Sequence, residues 1–451
     1  MKYFVCTTLV LFAIFLSWTQ GFKLVCYYDI TSSGRVGPAK LTSKEMELAL
    51  SFCTHIVYNY VTITNELCLT VQAPERQKEL ANVINFKKKY PKVKFLFSIS
   101  GANNWKTTNS FFEILEHGRA KKMFIKSIIE ILTKYKFDGI SLDIPLLTQQ
   151  PIQTCTYFGK MWQKVIHFFK RKPEKDSKAM EHKNQLTTLI QQISSHLRER
   201  NAILALNVLP NVDFKKYYDI AEIIKNLDFV ILSAFDFYTP KRNPKEADLM
   251  APTKPLETND NYLPLGNLYK YGNSKQVSRF NYNRLPLTNI KDLYKYWHSQ
   301  DVPRHKIVIG VAAYGRAWKM TKDSNINGVP PIFYTDGPAA AGPQTQRPGF
   351  LSWPEICEKL LRDPKLRRVT DRKAKSGVYA FRPADSRGNY GIWISYEDHI
   401  TAAAKAEYIR NHNLGGVALF DLSLDDIHGV CGGEKFPILR SINFRLSRSL
   451  T

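Results

Sequence analysis

The run Phe137-Asp-Gly-Ile-Ser-Leu-Asp-Ile-Pro145 sets two carboxylates, Asp138 and Asp143, inside an apolar, β-branched stretch. Read as a strand, it alternates its side chains, so Ser141, Asp143 and Pro145 project to one face. A carboxylic acid on such a face could protonate a leaving oxygen, a contribution typically worth ~10²–10⁴-fold in rate. Pro145, at the end of the row, has no proton to give. No metal site is expected, because none of the cysteines forms a close Cys-x-x-Cys pair. No cofactor is expected either: no strand is followed by G-x-G-x-x-G or a phosphate loop.

The elements that must position this row alternate between short β-branched or aromatic runs and longer amphipathic stretches, the pattern of a parallel sheet. Strands are expected at Leu24–Asp29, His55–Val61, Lys94–Ile99, Gly139–Ile144, Ile203–Leu209, Phe229–Phe237, Ile307–Ala313 and Gly416–Asp421. Eight such units in 451 residues predict an α/β fold, a closed (β/α)8 TIM barrel, with chemistry at the C-terminal strand ends. Between the seventh and eighth strands, residues 319–390 turn to Gly, Pro and short mixed runs, which predicts a small α+β insertion. The barrel is then expected over 22–318 and 391–445, followed by a basic tail at 446–451. A second insert, Leu146 to Asn184, contains Lys170-Arg-Lys-Pro-Glu-Lys-Asp-Ser-Lys178 and reads as a mobile charged loop.

Lys2 precedes an apolar run from Tyr3 to Trp18, and Thr19, Gln20 and Gly21 follow. This is a signal-peptide pattern over residues 1–21. The run is shorter than the ~20 residues a spanning helix needs, and no later stretch is long enough to span. A secreted, extracellular protein is the expectation. Removal of the leader leaves six cysteines, Cys26, Cys53, Cys68, Cys155, Cys357 and Cys431, an even set suited to an oxidising compartment. The formal net charge is +24, with cations gathered at Lys87–Lys89, Lys170–Lys178, Arg367–Lys375 and Arg440–Arg448. Each cluster alone reads as a solvated surface; together they favour loose binding to polyanions such as acidic glycans. Nucleic acid is not the expected partner, since no recognised domain or aromatic-basic motif accompanies the charge.

The fourth-strand text resembles family 18 of the glycoside hydrolases, the chitinases, whose motif runs Phe-Asp-Gly-x-Asp-x-Asp-x-Glu. Asp138, Gly139 and Asp143 match it; Ser141 replaces an aspartate and Pro145 replaces the catalytic glutamate. In that family the glutamate protonates the glycosidic oxygen and the substrate's own N-acetyl oxygen attacks, an exception to the two-carboxylate scheme. The resemblance therefore implies that no residue here is catalytic. Other matched positions have drifted too. Ser98-Ile-Ser-Gly-Ala102 stands for Ser-x-Gly-Gly-Trp. Phe235 stands where a tyrosine precedes the aspartate matched by Asp236, and Phe420 where a tryptophan floors the central sugar subsite.

What remains is a mouth expected to hold Tyr27, Asp143, Phe235, Asp236 and Phe420, joined by Trp105 and Tyr238. Two readings stay open: a residual sugar-binding groove, or structural relics in which Asp143 and Asp236 pair with each other or with backbone. Longer runs, among them Leu24-Val-Cys-Tyr-Tyr-Asp29, Phe235-Asp-Phe-Tyr-Thr-Pro240 and Ala418-Leu-Phe-Asp-Leu-Ser423, are similar to the insect imaginal disc growth factors, a chitinase-like, secreted, non-hydrolytic group. That group typically carries glutamine at the position of Pro145 and lacks the aspartate at Asp143, so this chain departs from it at both. The resemblance implies disulfides Cys26–Cys53 and Cys357–Cys431, with Cys68 and Cys155 either paired or free.

The leading expectation is an inactive, chitinase-like, growth-promoting signalling protein that acts on a cell-surface receptor. A lectin for chitin or N-acetylglucosamine oligosaccharides comes next, and a working chitinase last.

Overall fold

A computed structural model of the protein describes residues 21–71, 74–99, 105–144, 146, 176–254, 287–370 and 377–448. The expected leader, apart from Gly21, lies outside the described residues, as do Pro145 and Cys155. So do residues 147–175 of the lysine-rich stretch after the fourth strand; from Asp176 the chain leads into a helix, Ala179–Arg198, so the expected end of that stretch at Asn184 falls within a helix.

Eight parallel strands close on themselves. They are β1 (Lys23–Asp29), β2 (His55–Ile63), β3 (Lys94–Ile99), β4 (Gly139–Leu142), β5 (Ile203–Val208), β6 (Phe229–Leu232), β7 (Ile307–Ala312) and β8 (Gly416–Phe420). Each pairs with its successor, and β1 pairs with both β2 and β8, which completes the barrel. Alternation sorts the side chains. Val25 and Tyr27 join Val57, Leu96, Ala205, Ile231, Val308 and Ala418 in the barrel interior, while Leu24, Cys26 and Tyr28 face the surrounding helices. With both faces covered, β1 is buried almost end to end.

Two glycines let strands approach where a side chain could not fit. A Cβ on Gly139 would lie 2.2 Å from the Ile203 carbonyl oxygen, and one on Gly416, at φ +143°, would lie 2.0 Å from that of Lys23. The expected strand Phe229–Phe237 is shorter than predicted and stops at Leu232. Asp236 adopts φ +56°, a left-handed conformation that takes the chain out of the sheet.

The insertion is an antiparallel sheet whose strands run in the order Thr335–Pro338, Tyr314–Met320, Gly391–Tyr396, Val378–Arg382, Arg367–Thr370, with Phe350–Ser352 paired to Tyr314–Met320. Its first strand begins immediately after β7 and its closing strand lies past residue 390, so the expected limits of 319 and 390 cut through it. A helix, Trp353–Arg362, packs on this sheet behind a capping box of Ser352 and Glu355. The C-terminal helix, Pro437–Ser447, extends into the stretch read as a basic tail.

Two disulfides hold the ends together. Cys26 on β1 joins Cys53, just before β2, and Cys357 in the insertion joins Cys431 after β8. The turn that presents Cys431 is shaped by Asp426, whose carboxylate accepts the amide N–H groups of Gly429, Val430 and Cys431. The sequence separations of 27 and 74 residues give each bond about 3–5 kcal/mol in the chain-entropy model. Non-reducing peptide mapping should return these two links, and Cys357→Ser with Cys431→Ser should lower unfolding stability by about 2–5 kcal/mol in denaturant titration. A peptide joining Cys26 to Cys431 would overturn the pairing.

Candidate functional site

The mouth is built from the C-terminal ends of β1, β4, β5 and β8 and from the segment that follows β6. Inside it, three side chains from two distant strands close on one another. The Tyr27 hydroxyl lies 2.9 Å from Ser141 Oγ and donates to Asp143 Oδ1 at 3.4 Å, and Ser141 Oγ donates to the same oxygen at 2.9 Å. Ser141 and Tyr27 are fully buried and Asp143 is 4% exposed. Burial pushes the Asp143 carboxyl up to about 7, against the opposing pull of Ser141, Asn207 and Tyr27. The Tyr27 phenol is raised well above its usual range, first by burial and then by the charge of Asp143.

Asn207, at the end of β5, is a member of this cluster that sequence reasoning did not find. Its Oδ1 accepts from Ser233 Oγ at 2.8 Å, which turns the amide NH2 toward Asp143. That Nδ2 is buried and makes no hydrogen bond of normal geometry among the described residues. The signal available in the sequence was an asparagine in the apolar run Ile203–Leu209, where a buried amide needs a partner.

Beside the polar cluster lies an aromatic one. The Tyr27 ring stacks on Phe420 with centroids 4.1 Å apart, Phe420 meets Phe235 at 5.0 Å, and Phe235 meets Tyr314 edge-on at 6.0 Å. Phe235 is 5% exposed, so its ring is packing for Phe420 more than open platform. Phe420 is the partly exposed ring of this set.

Asp236 is held apart from Asp143. Arg316 grips it with two nitrogens, Nε to Oδ1 at 2.7 Å and Nη2 to Oδ2 at 2.6 Å, and the Tyr314 hydroxyl donates to Oδ2 at 2.9 Å. Asn211 Nδ2 donates to the Asp236 carbonyl at 2.6 Å. Arg316 itself lies over the rings of Tyr314 and Phe350. Both Tyr314 and Arg316 belong to the first strand of the insertion, so Asp236 ties the insertion to the barrel rim. Tyr238 is buried near Asp248, Glu246 and Arg242, and no contact links it to Asp143 or Phe420 among the described residues. Trp105 begins the helix Trp105–Glu116, and its side chain lies outside the described part.

Asp138 goes to the opposite end. It precedes β4, its Oδ2 accepts the Phe95 N–H at 2.7 Å, and its Oδ1 pairs with Lys87 at 2.8 Å. Its role is to start two strands in register, as Asp228 does by accepting from Leu204 N at 2.7 Å. Among the described residues no three His, Cys, Asp or Glu side chains come together as a metal site.

A carboxyl able to hold a proton near neutrality thus sits buried in the barrel, already engaged by Tyr27 and Ser141. A general acid must lie within ~3 Å of the oxygen it protonates.

Residues 23–425 match the family model described as glycosyl hydrolases family 18. The chain is 40% identical to the chitinase-like protein Idgf3 of Drosophila simulans over 438 residues, 94% of each chain. In structure it is similar to the Group IV chitinase of Ostrinia furnacalis, with a TM-score of 0.74, 22% identity and coverage of 95% of this chain and 100% of that one. It is likewise similar to human YKL-39, described as a pseudo-chitinase with retained chitooligosaccharide binding properties, with a TM-score of 0.73, 22% identity and coverage of 95% and 100%. A closed eight-stranded barrel with its motif strand in place, and these matches along nearly the whole chain, make this protein a member of glycosyl hydrolase family 18, in the branch of the chitinase-like imaginal disc growth factors.

Proposed function

We propose that the protein is a secreted, non-hydrolytic chitinase-like factor that acts outside the cell in growth signalling. The observation that carries this reading is Pro145 at the position where the resembling enzymes hold their acid. Asp143 does not replace it, because the resembling enzymes carry their acid two residues further along the chain and the Asp143 carboxyl already receives hydrogen bonds from Tyr27 and Ser141. The signalling half rests on kinship with the imaginal disc growth factors.

A second reading, retained binding of N-acetylglucosamine oligomers at the mouth, is favoured by the partly exposed Phe420 ring stacked on Tyr27 and by the reported behaviour of YKL-39. Against a strong sugar site stands Asp236, both of whose oxygens are already engaged by Arg316 and Tyr314. Weak, stacking-dominated binding is the expectation.

The natural protein should release no fluorophore from an N-acetylglucosamine oligomer substrate, and turnover of ~1 s⁻¹ or more would refute the proposal. Pro145→Glu alone should restore little. Ser141 still lacks the carboxylate, and Phe235 the hydroxyl, that the resembling enzymes place beside the acid, and groups acting as a unit are strongly non-additive. The fourfold variant with Ser141→Asp, Phe235→Tyr and Phe420→Trp should exceed the single change. Proliferation of cultured insect cells tests the signalling half, with no response to the purified protein counting against it.

A titration in stability follows from Asp143. Its carboxyl is raised from the ordinary value near 3.8 to about 7, so the folded state holds a proton that the unfolded chain has released. The stability it contributes is full below about pH 4 and is lost as pH rises toward 7. Asp143→Asn should therefore gain on the natural protein by about 1.4 kcal/mol per pH unit across that window. Denaturant midpoints of the two proteins that run parallel from pH 4 to 7 would contradict the buried, protonated state.

A further inference from the structure

The end of the barrel opposite the mouth carries a charge pattern that the sugar site does not use. Because helices return antiparallel to the strands they connect, strand starts and helix C-termini share this end. The helices Pro74–Lys89 and Gly118–Tyr135 bring their last turns here, beside the start of β3 and the turn into β4. Lys87 joins the two, its Nζ donating to the Lys136 carbonyl at 2.6 Å and to Asp138 at 2.8 Å. Around that junction stand Lys88, Lys92, Lys94, Lys134 and Lys136, all exposed. The ion pairs of the arc are Lys87–Asp138 and Lys89–Glu47, and none of the five exposed lysines has one among the described residues.

Attraction between a cation and a helix C-terminus accounts for Lys134 in the last turn. It does not account for Lys92 and Lys94, which lie beyond their helix. Lys136 caps its helix at φ +55°, ψ +40°, the left-handed position that glycine ordinarily fills. The field reaches inward: burial first, then the charges of Lys23 and Lys94, hold the His55 imidazole down to about 4.

We infer that this five-lysine arc docks a linear sulfated polysaccharide. Ammonium groups on flexible stems suit point contacts with anions spaced along a chain. A lipid surface would call for an apolar anchor, and none of the large exposed apolar side chains lies on the two helices or strand starts that carry the lysines. Single-stranded nucleic acid would call for open aromatic platforms, whereas the rings of the arc, Tyr90 and Tyr135, are partly buried and lie under Lys89 and Lys134. The two disulfides belong to an oxidising compartment, where acidic polysaccharides are the prevalent polyanions. The arc leaves the mouth free, so its occupation is independent of any ligand there.

The test compares the full chain with a variant carrying Lys88→Gln, Lys92→Gln, Lys94→Gln, Lys134→Gln and Lys136→Gln. A charge-matched control carries Lys122→Gln, Lys241→Gln, Lys322→Gln, Lys365→Gln and Arg387→Gln, all at exposed positions. Affinity for a heparin oligosaccharide is measured across salt, with thermal melts showing that all three proteins are folded. The arc variant should bind about tenfold or more weakly at physiological salt, and its salt slope should fall by roughly 0.7–0.9 per lost contact, as for other polyanions. The control should change less than about twofold. Equal losses in both, or no loss in the arc variant, would overturn the proposal in favour of diffuse charge. Tighter arc-dependent binding to phosphatidylserine vesicles or to duplex DNA would overturn the choice of partner. On the natural protein, heparin should protect the five lysines from amine acetylation, and unprotected lysines in a heparin complex would count equally against it.

Discussion

Barrel closure through β1 is the constraint on which the remaining structure rests. This strand donates and accepts along both edges, to β2 from Val25↔His55 to Asp29↔Asn59 and to β8 from Lys23↔Gly416 to Cys26↔Leu419. No edge is left unpaired, and the pleat of one strand then dictates which side chains enter the interior. Tyr27 meets Phe420 because β8 is its neighbour, and meets Ser141 and Asp143 because the barrel folds β4 to the opposite wall. The Cys26–Cys53 bond braces the same closure from outside.

Within that frame the mouth keeps its shape by turning inward. The Asp143 carboxyl is buried and receives hydrogen bonds from a phenol and a hydroxyl. Burial favours its neutral form, while the hydrogen bonds from the phenol and the hydroxyl pull the other way and satisfy its oxygen inside the core. Asp236 follows the same course, clamped by Arg316 and Tyr314 into a joint between barrel and insertion. Removing one member of such a buried pair is costly because the other is left uncompensated. The described residues of the site are therefore held by packing and hydrogen bonding.

The two ends of the barrel divide the chemistry. The described part of the mouth is aromatic, with Asp236 paired to Arg316, while the opposite end gathers lysines at strand starts and helix ends. A protein of formal charge +24 has to distribute its self-repulsion somewhere. Helix C-termini are a favourable place for part of it, and the crowding beyond those ends, at Lys92, Lys94 and Lys136, is the feature on which the proposed polyanion site rests.

Sequence alone determined what depends on residue type and on local period. The eight strands follow from alternating β-branched runs, and the proline at position 145 and the even set of cysteines can be read directly. Each can be read within a few residues of itself, and the two disulfides followed from kinship. Tertiary structure decided everything that joins distant positions. Asp138 and Asp143, five residues apart in one motif, part to opposite ends of the barrel because a strand carries the chain across its length between them. Tyr27 and Ser141 meet across 114 residues, and Asp236 finds Arg316 across 80. Asn207 became a site residue only when β5 aligned it with Asp143. No local pattern encodes such meetings, since they arise from barrel closure and from the left-handed turn at Asp236, and both are settled by how the whole chain packs.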